Sequence, residues 1–340
     1  MKTIHLLKDE VSAVQSLATE AASRYGSTQE PEFWRDVTVI AHEIPRRVRA
    51  FFNDFRQHES TGVIMVTGHE INDSALGSTP SHWRRVTVAK EPREEMLLAL
   101  YGSLLGDVIG WSTQQGGRII HDILPIKEHE NTQISTGSEQ EILWHTEDAF
   151  DEYMGDYVGF LCLRNPREAA STFATVDIER TELPAHVINT LFEPRFVARP
   201  DESRLEELGA GAQNNSLQQA AYERIQRLMA NPEKVAVLHG DRQRPYVRID
   251  MYFVSAPDHD AEAKDALAAF ARAVDALLFE VVLRPGDVCF VDNLRAVHGR
   301  KPFKAFYDGK DRWLKRLCTT RDLRKSRSVR ASAASRLIYS

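Results

Sequence analysis

From about Gly110 onward the chain is a succession of short apolar runs separated by turn residues, and this spacing limits the fold more than any other feature. The runs read RIIHDILP, DYVGFLCLRNP, KVAVLHG, PYVRID, GDVCFVDN and DRWLKRLCTT. Each has the length of a strand and is too short for a typical helix. Many such strands in series predict an antiparallel sandwich or barrel. Two helical stretches interrupt them, near Ser216 to Met229 and Ala261 to Phe279.

The residues before this region are helical in pattern. Val11 to Tyr25 is rich in Ala, Leu, Gln and Glu at helical spacing. Pro45 stands where a first-turn proline opens the amphipathic run PRRVRAFFNDF. Thr61 to Thr67, TGVIMVT, is β-branched and bounded by Gly68, which predicts a strand. Arg93 to Leu105 predicts a third helix with Met96, Leu97, Leu100 and Leu104 on one face. No repeat or low-complexity linker divides the 340 residues. The reading is one domain, 1–340, mainly β with helical buttresses: a helical part over about 1–108, a β core over about 109–320 and a basic C-terminal tail. The polar, small-residue segment Asp201 to Asn215, between two strand regions, reads as a lid.

Charge and cysteine content narrow the function classes. The net charge of -6 gives no general reason to expect a nucleic-acid partner. The three cysteines, Cys162, Cys289 and Cys318, are odd in number and form no CxxC pair, which points to a reduced cytoplasm; Cys289 and Cys318 sit in apolar strands and read as core. The start MKTIHLLKDE is too weakly apolar for a signal peptide, and no run is long enough to span a membrane. The expectation is a cytoplasmic protein without a membrane partner. The sequence sets no oligomeric state.

The chemical signal is LWHTEDAF, residues 143–150. On a strand, His145 and Glu147 would share a face, offering an imidazole and a carboxylate to one metal. His298, in VDNLRAVHGR, follows an apolar strand and precedes what reads as a turn glycine, and is the best third ligand. Two His and one carboxylate leave three positions open on an octahedral metal, which suits Fe(II). HxE alone is weak, because among 12 histidines a surface His beside a glutamate is the commoner origin of such a pair. The PCxxC of zinc deaminases and the HExxH of zinc proteases are both absent.

Taken together, HTEDAF, DNLRAVHGR and FYDGKDRWLKR resemble the clavaminate synthase-like branch of Fe(II)/2-oxoglutarate oxygenases. The resemblance is greatest to free-amino-acid hydroxylases of peptide-antibiotic pathways, of the viomycin-pathway arginine 3-hydroxylase and enduracididine hydroxylase type. It extends through AHEIPRRVRAFF, NDSALGSTP, LLGDVIGWSTQQ, DILPIK, DYVGFLCLRNP and PYVRID. It implies a distorted jelly-roll (double-stranded β-helix) core, with iron held by His145, Glu147 and His298, and 2-oxoglutarate and O2 as co-substrates. Arg312 then matches the arginine that pairs with the distal carboxylate of 2-oxoglutarate, and either Ser171 or Thr172 a hydroxyl beside it. Arg316, on the same strand face, matches the arginine for the α-carboxylate of the substrate. Glu147 would also face the α-ammonium, Gln114 and Ser135 match further substrate contacts, and Asp201 and Ser203 match closing residues on the lid.

Asp250 matches a carboxylate that grips a guanidinium. The arginine 3-hydroxylases carry a second aspartate two residues later, where this chain has Tyr252, and YFVSAP holds an extra residue. Hydroxylation of C3 or C4 of free L-arginine is the first expectation. L-citrulline and L-enduracididine are the alternatives as substrate, desaturation or ring closure as reaction, and a non-catalytic jelly-roll binding module as a remote reading. A nucleic-acid-modifying oxygenase is disfavoured by the acidity and by Arg316 and Asp250. The basic run RDLRKSRSVRASAASR reads as a solvated tail packed near its own acidic body, and His121, His129 and His239 as structural or exposed.

Overall fold

The computed structural model describes residues 1–86, 92–201, 203–206 and 216–340. While KVAVLHG and PYVRID go to two smaller sheets, most of the expected runs fall in two main ones. The larger has the order Lys2–His5, Val63–Thr67, Val288–Asp292, Tyr157–Arg164, Trp313–Thr320, Asp107–Trp111 and Leu337–Ile338, with His121–Ile123 also paired to Trp313–Thr320. The smaller has the order Phe279–Val281, Ser171–Thr175, Ala296–Arg300 and Ile142–His145. Pairing is antiparallel except at the two ends of the larger sheet, where Lys2–His5 runs parallel to Val63–Thr67 and Leu337–Ile338 parallel to Asp107–Trp111. One apolar cluster joins the inner faces: Val63, Cys162, Val291 and Leu314 from the larger sheet meet Phe173 and Ala296 from the smaller.

Helices cover both outer faces. Lys8–Tyr25, Pro31–Ala41, Arg46–His58 and Pro92–Ser103 pack on the larger sheet, where Val14, Phe33, Phe52 and Leu100 join Ile64, Phe290 and Leu317 in one cluster. Phe52 stacks on Tyr101 at 5.4 Å and meets Phe290 edge-on at 5.5 Å. Pro92–Ser103 is buried all round instead of on one face, because it is a middle layer between the sheet and the outer helices. Ala261–Asp275 covers the smaller sheet through Phe270 and Val274 against Trp144, Ala174 and Val297. It ends before the expected Phe279, which starts a strand paired with Ser171–Thr175.

Two further expectations are corrected. KVAVLHG forms two short strands, Lys234–Val235 and Leu238–His239, that pair in different sheets. The basic C-terminal run packs on the body as expected, with Arg321, Arg324, Lys325 and Arg327 exposed, but Arg330 is not solvated. Arg330 is buried and donates to the carbonyls of Leu323, Ser332, Ala333 and Ser335 at 2.7–3.0 Å. Leu337–Ile338 then pairs with the large sheet, and Ser340 Oγ donates to Asp151 at 2.7 Å. Backbone carbonyls and the Ser326 hydroxyl, not solvent, satisfy Arg330.

Candidate active site

Two strands of the smaller sheet bring the histidines together. His145 closes Ile142–His145 and stands opposite His298 in the antiparallel pair with Ala296–Arg300. Trp144, one residue earlier, is tied to the end of the outer helix through Nε1 donating to Asp275 at 2.7 Å. His145 Nδ1 lies 2.9 Å from the Leu143 carbonyl, which can only accept. The proton is therefore on Nδ1, and Nε2 presents its lone pair.

Glu147 does not lie on the strand, so side-chain alternation is not what aims it. The strand stops at His145, and Thr146 turns the chain by bonding Ile249 through its N–H at 2.7 Å and its hydroxyl at 3.0 Å. Asn293 then holds the Glu147 backbone from both sides: Oδ1 accepts its N–H at 2.7 Å and Nδ2 donates to its carbonyl at 3.0 Å. Asn293 carries no sign of this role in the sequence, although it stands in DNLRAVHGR.

Gly299 is likewise mid-strand, not in a turn. A Cβ there would lie 2.5 Å from the Ile142 carbonyl oxygen, so a side chain would push the two histidine strands apart.

The three candidate ligand atoms all lie within 4.8 Å of one another. Glu147 Oε2 is 3.9 Å from His145 Nε2 and 3.4 Å from His298 Nε2. It is buried and has no hydrogen-bond partner among the described residues, while Oε1 is taken by Arg316. One carboxylate oxygen and two imidazole nitrogens thus converge on one point, a donor set that fits Fe(II). Burial works against the charge of Glu147, but Arg316 and the two histidines outweigh it and hold the carboxyl well below its usual range. Burial and the neighbouring His145 bring His298 down to about 4.

Two cavities meet at this cluster. The inner one, of about 60 Å³, contains Arg312, Ser171 and Phe173 and the apolar walls Phe160 and Leu314. Arg312 is buried, its Nη2 donates to Ser171 Oγ at 3.3 Å, and its Nε has no hydrogen-bond partner among the described residues. Burial lowers its pKa to about 10. Ser171 lines this cavity, whereas Thr172 points to the other side of its strand, with Oγ1 against Gly299.

The outer cavity, of about 160 Å³, is lined by Gln114, Ser135, Glu147, Asp201, Ser203, Asp250, Tyr252 and Arg316, so every residue expected to touch substrate is on its wall. Asp250 Oδ1 accepts the N–H groups of Tyr252 and Phe253 at 2.8 and 2.9 Å, and burial raises its pKa. Ser203 donates both its N–H and its hydroxyl to Asp201.

Of the expected lid, Asp201 and the helix Ser203–Glu206 are described; residues 202 and 207–215 lie outside the described residues. Arg204 on that helix is buried, pairs with Asp148, donates to Thr113 at 3.1 Å and lies 4.6 Å over the Phe150 ring. Gln114 donates to the same Asp148 at 3.2 Å. Nothing in the sequence marks Arg204, the single arginine of a polar segment.

His121 is buried in the wall of the outer cavity, with Nδ1 2.9 Å from Arg316 Nη2. His129 also lines this cavity and is bonded to Thr136 at 2.8 Å, while His239 lines a separate one. The three cysteines are free and buried.

Residues 90–318 match the family described as taurine catabolism dioxygenase TauD, TfdA family. The chain is 42% identical over 344 residues to an enduracididine beta-hydroxylase from Streptomyces hygroscopicus, covering 100% of both. It is 40% identical over 345 residues to an L-ornithine/L-arginine 3-hydroxylase from Catenulispora acidiphila, again covering 100% of both. The non-heme iron oxygenase OrfP in complex with Fe, succinate and (3S)-hydroxy-L-Arg matches with a TM-score of 0.91 at 44% identity, over 99% of this chain and 100% of that chain. OrfP with Fe and alpha-ketoglutaric acid matches with a TM-score of 0.86 at 42% identity, over 99% of each chain.

Proposed function

Because this chain belongs to the TauD/TfdA family of dioxygenases and is an Fe(II)- and 2-oxoglutarate-dependent oxygenase, we propose that it hydroxylates C3 or C4 of free L-arginine. The observation that carries the reading is the junction of the two cavities. Ser135, His145, Glu147 and Arg316 line both, so a co-substrate in one and an amino acid in the other would meet at the metal ligands. When bound, iron supplies the activation of O2 that lets an unactivated C–H bond be oxidised while 2-oxoglutarate becomes succinate and CO2.

The roles follow from position and charge. His145, Glu147 and His298 hold the metal. Arg312 receives the distal carboxylate of 2-oxoglutarate as a buried fork of N–H donors, with Ser171 as its hydroxyl neighbour; Thr172, facing away, is not in contact. Arg316 takes the α-carboxylate of the amino acid, and Glu147 faces its α-ammonium. Gln114 and Ser135 add polar contacts, and Asp201 and Ser203 close over the substrate from the helix side. Asp250 is the counter-charge for a guanidinium, with the Tyr252 ring beside it.

Tyr252 in place of a second carboxylate also suits a cyclic guanidine or a neutral ureido group. L-enduracididine and L-citrulline are therefore the second reading of the substrate, and the 42% identical enduracididine beta-hydroxylase adds weight to the former. We further infer a jelly-roll core from the two sheets joined by one apolar cluster, and a single domain over 1–340 because the N-terminal helices share their core with the larger sheet. The setting we infer is cytoplasmic peptide-antibiotic biosynthesis. Three free buried cysteines support the compartment, and among the described residues no helix is long and apolar enough to cross a membrane.

Incubating the protein with a panel of free amino acids, Fe(II), 2-oxoglutarate and O2, followed by mass spectrometry, tests the reading. Arginine is expected to gain one oxygen. Loss of two hydrogens would make the enzyme a desaturase, and no mass change in any amino acid would overturn the assignment.

A further inference from the structure

We propose that His121 is a positioning residue for Arg316, held as the neutral tautomer with its proton on Nε2 so that Nδ1 accepts a hydrogen bond from the guanidinium. The inference rests on the reading of Arg316 as the group that takes the substrate α-carboxylate. Its basis is geometric. The strand His121–Ile123 pairs antiparallel with Trp313–Thr320, and His121 stands in register opposite Arg316. His121 Nδ1 is 2.9 Å from Arg316 Nη2, and its Nε2 is 2.9 Å from the Arg118 carbonyl oxygen.

These two contacts fix the tautomer. A guanidinium has donors only, so Nδ1 must accept. A carbonyl has acceptors only, so Nε2 must carry the proton. A second proton would place an N–H against an N–H and a cation against a cation in a buried site. Burial first, and Arg316 second, bring the His121 pKa down to about 3, in the same direction.

The consequence for Arg316 is a fixed orientation. Nη2 is held by His121, and Nη1 is held by Glu147 Oε1. The guanidinium therefore spans two acceptors on opposite arms and cannot rotate without losing one of them. Nε, buried and without a hydrogen-bond partner among the described residues, and the second hydrogen on each arm are left for a ligand. A carboxylate docked on such a fork arrives with its direction set, and the distance from the metal ligands to the C–H bond under attack depends on that direction. His121 does not line the proposed co-substrate cavity and reaches the metal ligand Glu147 only through Arg316, so its effect should fall mainly on the amino acid.

The test compares His121→Phe, His121→Asn and Arg316→Gln in the full-length, iron-loaded enzyme. Asn keeps an acceptor oxygen near the place of Nδ1; Phe keeps the ring and removes it. His121→Phe is expected to raise the KM for arginine by about tenfold or more, the worth of one hydrogen bond to a charged group. The KM for 2-oxoglutarate should stay within about twofold, and the yield of hydroxylated product per succinate should fall. His121→Asn should recover most of both losses. An unchanged arginine KM and product yield in His121→Phe, alongside weakened arginine binding in Arg316→Gln, would overturn the role of His121 alone. An unchanged arginine KM in Arg316→Gln would overturn the reading of Arg316 and this inference with it.

A measurement free of activity stands beside these. In the full chain loaded with diamagnetic Zn(II), the His121 ring ¹⁵N signals, assigned by their loss in His121→Asn, should report a proton on Nε2. A proton on Nδ1, or an imidazolium at neutral pH, would contradict the proposal.

Discussion

His145 and His298 face each other directly across an antiparallel strand pair, with ring centroids 4.4 Å apart. Separated by more than 150 positions in sequence, they are brought into metal-binding range by sheet register alone, and Glu147 completes the set from the turn that follows. His145→Ala and His298→Ala are each expected to abolish turnover and to weaken Fe(II) binding strongly, since each removes one of three protein ligands. Calorimetric Fe(II) titration under anaerobic conditions checks this, and near-native affinity in either variant would place the metal elsewhere.

Arg312 and Ser171 are adjacent in the inner cavity, while Thr172 faces away. Arg312→Ala should weaken 2-oxoglutarate by on the order of 2–5 kcal/mol, the cost of leaving a buried carboxylate unpaired. Ser171→Ala should raise the 2-oxoglutarate KM by less, about 1 kcal/mol for a single hydroxyl. Thr172→Val, which removes the hydroxyl and keeps the branched shape, should leave it unchanged. A Thr172 effect equal to that of Ser171 would mean that the wrong hydroxyl was assigned.

Gly299→Ala probes the register that unites the histidines. The added methyl would sit 2.5 Å from the Ile142 carbonyl oxygen and 2.8 Å from Thr172 Oγ1. Backbone does not yield cheaply, so a loss of about 1–3 kcal/mol in stability is expected together with weaker Fe(II) binding. Thermal melts with and without the metal measure both, and a variant with unaltered melting and affinity would show that the strands can spread without consequence.

Asp250 decides between a charged and a neutral side chain. Asp250→Asn should lower kcat/KM for arginine by on the order of 2–5 kcal/mol in activation free energy, because a guanidinium would be left without its counter-charge in a closed site. Citrulline should suffer much less. Equal losses for the two substrates would remove Asp250 from guanidinium recognition, and a wild-type preference for citrulline of about tenfold or more, worth 1.4 kcal/mol, would replace arginine as the substrate.

The sheet strands and the ligand set were legible because both are local patterns: alternating short runs for the first, and HTED and VHGR for the second. What escaped was set by contacts distant in sequence. Glu147 is aimed by Asn293 and Thr146, not by strand alternation. Gly299 looks like a turn residue until the Ile142 carbonyl is placed against it. His121 looked structural because its partner, Arg316, lies 195 residues away, and Arg204 gives no local sign of its pairing with Asp148. The all-round burial of Pro92–Ser103 and the pairing of Leu337–Ile338 with Asp107–Trp111 likewise depend on which layer the chain meets, which no local periodicity encodes.

The most direct test of a single metal centre shared by two cavities is stoichiometry. Succinate and oxygenated arginine should be measured in the same reaction, with the full-length protein, Fe(II), 2-oxoglutarate and O2. About one succinate is expected per oxygenated arginine, as tight coupling of a co-substrate and a substrate at one metal requires, with both products lost in Glu147→Ala. Succinate released without oxygenation of arginine, enduracididine or citrulline, or full product yield from Glu147→Ala, would contradict the account.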